Sequence, residues 1–227
     1  MGPLSIVIPT LDEEAKIAAT LRALAALRQR GAEVIVADGG SRDNTVAIAT
    51  PHADRVIAAA RGRAAQMNAG AEIASGDVLV FLHADTLLPE RADELIMASL
   101  QESGRVWGRF DVHLAGSHPL LGTVAKMMNL RSRLTGIATG DQCLFMTREA
   151  YRACGGFPEI ALMEDIAMSA RLKEISRPVC LRARAATSAR RWETRGVART
   201  IVEMWLTRLA FFFGADPALL ARRYYGR

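Results

Sequence analysis

Several polar residues stand directly behind short apolar runs, where side chains from different runs can meet. In Phe81-Leu82-His83-Ala84-Asp85-Thr86, an imidazole and a carboxylate are two residues apart. Such a pair can hold a divalent cation, because magnesium or manganese takes one or two protein groups and leaves its other positions to phosphate oxygens and water. A core histidine followed by a helix cap is the other reading of His83 and Asp85. In Leu162-Met163-Glu164-Asp165-Ile166, paired carboxylates open a helical pattern, where the helix dipole favours ionised acids. One of them can serve as a base toward a hydroxyl, or the pair only caps the helix. Arg190-Arg191-Trp192 sets two guanidiniums beside an aromatic, suited either to clamping a diphosphate or to a solvated face. Arg61 and Arg63 precede another helix and can meet phosphate oxygens there. Asp38 and Asp43 flank the turn after the second apolar run and serve either that crevice or the local turns and caps.

The elements that must position these groups follow from periodicity. Residues 4–8 form a β-branched run that stops at Pro9, and residues 33–37, 55–58 and 78–82 are further strands. Between them, Ile17, Leu21, Leu24 and Leu27 share one helical face, with Thr10 and Glu13 at capping-box spacing. Residues 46–49, 63–74 and 90–99 are helical as well. This alternation predicts an α/β fold, a mostly parallel central sheet with helices on both faces. Ligands of such sheets bind beyond the carboxyl ends of the strands, where Pro9, Thr10, Asp38, His83 and Asp85 all fall. Farther on, residues 106–114 and 140–146 have strand character, and residues 120–134, 148–154 and 165–175 are helical. The stretch 197–213 places Val197, Ile201, Trp205, Leu209 and Phe212 on one stripe, with Arg199, Glu203 and Arg208 elsewhere. Residues 196–227 therefore form an amphipathic tail after a domain of residues 1–195, packed on that domain, on a partner subunit or on a membrane surface.

Composition sets outer bounds. The 227 residues, 50% hydrophobic and 23% charged, suit a globular domain with a full core. The three cysteines have no C-x-x-C spacing, which suggests neither a disulfide framework nor a zinc site and fits a reducing cytoplasm. The first nine residues have no basic n-region and reach Asp12 too soon for a signal-peptide core. No window holds eighteen uninterrupted apolar residues. The net charge of +5 suits acidic partners without choosing among diphosphate, lipid and nucleic acid. Nucleic acid is not expected, since the sparse aromatics form no stacking platform.

Several of these segments together resemble the family 2 inverting nucleotide-sugar glycosyltransferases. Ser5-Ile6-Val7-Ile8-Pro9-Thr10-Leu11-Asp12-Glu13-Glu14 resembles that family's first strand and "P-x-x-N-E-E" turn, with Asp12 at the asparagine. The segment from Val34 to Thr45 is similar to "V-D-D-G-S-x-D-x-T". Arg61-Gly62, Asn68-Ala69-Gly70, Gly76-Asp77 and the Asp85 region follow in the family's order. So do Gly140-Asp141-Gln142, Gly155-Gly156-Phe157, Glu164-Asp165 and an "R-W" element at Arg191-Trp192. "D-G-G-S", "F-L-H-A-D-T" and "L-M-E-D" resemble a compact bacterial subgroup.

The resemblance implies a Rossmann-like GT-A fold and donor contacts at Pro9, Thr10, Glu13, Asp38, Arg61, Asn68, His83, Asp85, Arg191 and Trp192. It implies that Asp38 meets the nucleotide base and that Asp85, with His83 beside it, binds Mn2+ or Mg2+. Asp165, with Glu164 adjacent, would deprotonate the acceptor. Two departures stand out: Gly39 replaces a second aspartate, leaving base recognition to Asp38, and His83 replaces the first aspartate of "D-x-D", so weaker metal affinity is expected. The expected reaction moves a sugar, from a UDP-linked donor in the first instance, with inversion. The acceptor is unassigned; the apolar tail with Met127 and Met128 favours a lipid-like one, reached at the inner face of the cytoplasmic membrane. A homo-oligomer is the other use of that tail. Rival readings are a non-catalytic nucleotide-sugar or lipid-binding protein, which retention of Asp85 and Asp165 opposes, and a sugar nucleotidyltransferase, which lacks its glycine-rich loop here. A dinucleotide oxidoreductase is excluded because no G-x-G-x-x-G follows a strand.

Overall fold

A computed structural model describes residues 3–226; Met1, Gly2 and Arg227, and with them the ends of the N-terminal and tail readings above, lie outside the described residues. The first half runs β1 (Leu4–Thr10), α1 (Glu14–Ala23), α2 (Ala25–Gln29), β2 (Glu33–Asp38), α3 (Thr45–Ala49), β3 (Arg55–Ala58), α4 (Arg63–Ile73), β4 (Val78–Phe81), β5 (Thr86–Leu87) and α5 (Ala92–Ser103). The second half runs β6 (Trp107–Ala115), α6 (Leu121–Thr135), a 3-10 turn (Gly140–Gln142), β7 (Leu144–Thr147), α7 (Arg148–Ala153), α8 (Glu164–Ile175), β8 (Val179–Ser188), α9 (Arg190–Arg195), α10 (Val197–Phe212) and α11 (Pro217–Tyr225).

The strands form one sheet in the order β3-β2-β1-β4-β7-β6-β8-β5. The β3, β2, β1 and β4 strands are mutually parallel, β7 runs antiparallel to both β4 and β6, and β8 returns parallel to β6. Period-two alternation splits the apolar strands between two cores. Ile6, Ile8, Val34, Val36, Val78 and Val80 pack on one face with Ile17, Leu21, Leu24 and Leu27 of the first helical segment and Ile96 and Leu100 of α5. Val7, Ile35, Leu79 and Phe81 pack on the other with Ala64 and Met67 of α4 and Met168 and Leu172 of α8. Helices therefore cover both faces, as the alternation predicted.

Local differences have physical causes. The expected first helix breaks at Leu24, whose N–H reaches both Thr20 and Leu21 carbonyls, yet its apolar stripe continues unbroken into α2. The capping box of Thr10 and Glu13 does not form: Thr10 belongs to β1, and its hydroxyl donates to Asp38 Oδ1. The Glu13 N–H instead donates to Thr45 Oγ1 at 2.8 Å. The strand expected over residues 140–146 starts later, at Leu144, because the 3-10 turn comes first. Among the described residues, no helix is long and apolar enough to cross a membrane.

Arg109 of β6 is fully buried, and its charge is met by Asp111, with further bonds to Ser132 Oγ and the Asn129 carbonyl. Asp111 also accepts from Arg133 at 2.7 Å, tying α6 onto β6. Removing it leaves a buried guanidinium without its counter-charge. Asp111→Ala is expected to lower the free energy of unfolding by about 3 kcal/mol, read from urea denaturation; an unchanged midpoint would show that Arg109 finds its compensation elsewhere.

Candidate active site

The parallel register brings the carboxyl ends of three strands level, with Thr10 beside Asp38 and Asp38 beside Ala58. Over these ends and the exit of β4 opens a cleft of about 850 Å³. Pro9, Thr10, Glu13, Arg61, His83, Asp85, Glu164, Asp165, Arg191 and Trp192 all line it, so most of the residues singled out from sequence converge there.

Asp38 and Asn68 are not among the lining residues. Asp38 is buried and its carboxylate takes four donors from the chain itself: Thr10 Oγ1 and Ser41 Oγ on Oδ1, and the N–H groups of Gly40 and Ser41 on Oδ2. Asn68 pins α4 to the segment before α8, donating to the Phe157 carbonyl and accepting from the Phe157 N–H and the Tyr151 hydroxyl. Gly39 has its own neighbour, Gln66, which donates to the carbonyls of Thr10 and Ala37. A Cβ at position 39 would meet the Gln66 amide at 2.9 Å, so that amide fills the space a side chain at Gly39 would enter.

The acidic floor is built by His83, Asp85, Glu13 and Asp141. His83 Nδ1 lies 3.5 Å from Asp141 Oδ1. Its opposite edge faces Gly140, where an added Cβ would stand 2.3 Å from Nε2. Burial works against ionisation of Asp141, but the hydrogen bond and charge of His83, with Arg63 and Arg191, outweigh it and hold the carboxyl below its ordinary value. The Glu13 carboxyl is pushed up by burial and by the charge of Asp85. That surplus of negative charge suits a divalent cation held by one or two protein oxygens and completed by phosphate. Among the described residues, no group of three or more histidine, cysteine, aspartate or glutamate side chains forms a closed metal cage. His83 turns Nδ1 to Asp141 and lies close against Gly140 on its Nε2 side, which leaves Asp85 as the freer donor.

Across the cleft, Asp165 occupies the first turn of α8. Its Oδ2 accepts from the Gly140 N–H and its Oδ1 from the Ile166 N–H, each at 2.7 Å. Burial, reinforced by the neighbouring Glu164 charge, raises its pKa to about 6 despite these bonds. Glu164 itself is buried and paired with Arg63 at 3.0 Å. Met163, just before them, has a left-handed φ of 72°, and Cys143, just after the 3-10 turn, one of 47°. Of these two, Met163 lines the cleft, while Cys143 is buried in the core.

The basic wall is Arg61, Arg63, Arg190, Arg191, Arg208 and Arg222. Arg191 stacks on Tyr224, its Cζ 3.3 Å from the ring centroid, while its buried Nε and Nη2 have no hydrogen-bond partner among the described residues. Sequence reasoning missed Tyr224, Arg222 and the return of α11 to the cleft, because nothing in local periodicity says that a terminal helix folds back. Asp141 was within a quoted segment but had no assigned role; its place opposite His83 comes from the pairing of β4 with β7.

Residues 5–151 match the model of the family described as Glycosyl transferase family 2. No curated protein sequence matches the chain. Among solved structures it is similar to S. aureus TarS 1-349, with a TM-score of 0.68 and 18% identity over 82% of this chain and 60% of that one. The same TarS fragment in complex with UDP-GlcNAc gives a TM-score of 0.65 at 18% identity, covering 82% of this chain and 58% of that chain. Mannosyltransferase PcManGT from Pyrobaculum calidifontis, in complex with GDP-Man and Mn2+, gives 0.60 at 20% identity, covering 82% of this chain and 56% of that chain. The chain therefore spans at most 60% of the length of these structures. At such identities the likeness shows the shared fold, GT-A, while the family match covers well over half of the chain. With that match on the strand ends that build the cleft, the chain belongs to glycosyl transferase family 2.

Proposed function

We propose that the protein moves a sugar from a nucleoside-diphosphate sugar, with UDP as the first nucleotide to test, to an acceptor hydroxyl, phosphate or carboxylate, inverting the anomeric centre. The observation that carries this reading is Asp165: a buried carboxyl with a raised pKa, fixed by the Gly140 N–H, faces arginines across one cleft. A carboxylate so held can take a proton as a hydroxyl attacks. Arg191, with Arg61 and Arg190, would neutralise the departing diphosphate, whose charge is the main obstacle to cleavage. Trp192 and Pro9 would shape the donor pocket. Mn2+ or Mg2+ bound at Asp85, with His83 and Asp141 adjacent, would supply further charge neutralisation. Asp38 would act on base recognition through the turn it organises, and Asn68 through the loop it anchors. A diphosphate clamp and a base lining one cleft fit a single in-line displacement. The donors and cation in the TarS and PcManGT complexes support this choice of ligands. The protein would work in the cytoplasm.

Calorimetric titration with UDP, GDP, CDP and dTDP, with and without Mn2+, tests the donor. One diphosphate is expected to bind in a metal-dependent manner, with that dependence lost in Asp85→Ala; absence of binding by all four would return the chain to the non-catalytic reading. With the donor known, the rate of diphosphate release should rise with pH through about 6 as Asp165 ionises, since the ionised carboxyl is the active form. Asp165→Asn is expected to lose about 100-fold or more in that rate while still binding donor. Gly140→Ala, which drives a methyl into His83, should cost on the order of 100-fold in rate in a protein that remains folded.

A further inference from the structure

The C-terminal hairpin has two different faces. From α10, Met204 and Arg208 line the cleft, and α11 adds Ala218, Ala221 and Arg222. The outward side of α10 is apolar: Val202, Trp205, Leu206, Leu209, Phe212 and Phe213 are all exposed, Trp205 at 67% and Phe212 at 81%. A helix on a water-facing surface normally shows the reverse arrangement. The neighbouring α6 shares a buried cluster with α10 and also turns apolar residues outward, Met127, Leu130 and Leu134.

Charge narrows the occupant. Residues 195–226 carry five arginines against two acidic residues, and α6 carries three cationic residues and no acid. These helices therefore hold at least the whole of the chain's net charge of +5. Lys126, Arg199 and Arg223 are exposed. A second copy of the chain would bring this surplus against itself, whereas an anionic bilayer answers both the apolar stripes and the charge.

We infer that the outer faces of α10 and α6 dock the protein on an anionic lipid surface, with the apolar stripe of α10 seated at the headgroup boundary. Docking by α10 places the cleft about one helix diameter, ~10 Å, from the bilayer, within reach of an acceptor lodged in it. The surface is independent of the nucleotide-sugar reading and is tested without donor.

The probe is built in, because Trp107 and Trp192 are buried and Trp205 is the exposed one of three tryptophans. Vesicles of phosphatidylcholine with phosphatidylglycerol are expected to float the 227-residue chain and shift its tryptophan emission to the blue, with added salt weakening the effect and pure phosphatidylcholine giving little of it. Leu209→Asp with Phe212→Asp should weaken partition about 100-fold or more, and Arg199→Gln with Arg223→Gln about tenfold or more, both leaving diphosphate binding intact. Absence of flotation on anionic vesicles would overturn the inference. So would flotation unchanged in the Leu209/Phe212 variant, or sedimentation velocity showing a dimer with Trp205 already buried.

Discussion

The cleft depends on one close approach. At Gly140, the loop leaving β4, the 3-10 turn before β7 and the first turn of α8 meet within hydrogen-bonding distance. The glycine's N–H fixes Asp165, and its missing side chain admits His83, which in turn faces Asp141. A Cβ there would separate the acidic floor from the base on the opposite wall. Three parts of the chain, remote in sequence, are thereby held to one geometry by the absence of a single carbon.

Electrostatics around that contact are divided rather than neutralised. Burial and the charge of Asp85 raise the Glu13 pKa, and burial and the charge of Glu164 raise that of Asp165. Arg191 is half-buried against Tyr224, and two of its nitrogens have no partner among the described residues. Unmet charge of both signs in one cleft is costly in an empty protein and useful for a ligand that carries phosphate and arrives with a cation. The left-handed backbone at Met163 belongs to the same pattern, strain retained where the chain enters the turn that carries Glu164 and Asp165.

The C-terminal helices join this site to the outside. Leu220 and Ala221 of α11 pack against Leu162 and Met163, the residues that lead into Glu164 and Asp165. Arg195 donates to the Tyr224 carbonyl, closing the hairpin over α9. A surface contact made by α10 is therefore one packed layer from the proposed base.

The strands β1, β2 and β4 were legible because each is buried on both faces and reads as a continuous apolar run, and the edge strand β3 was bounded to the residue. The polar strand ends pointed to a shared crevice, and the order of the motifs identified the family. The sequence did not reveal β8, whose arginines and alanines lack an apolar run and become a strand only through pairing with β6. It could not say that Asp38 is satisfied by its own turn, that Gln66 occupies the space over Gly39, or that Asp141 faces His83, because each depends on contacts between distant segments. Side-chain type and periodicity determined the sheet and the kinds of group at its edge. Only the tertiary structure decided which of those groups are already partnered by the chain and which remain free for a ligand, since that depends on what packing brings within three ångströms.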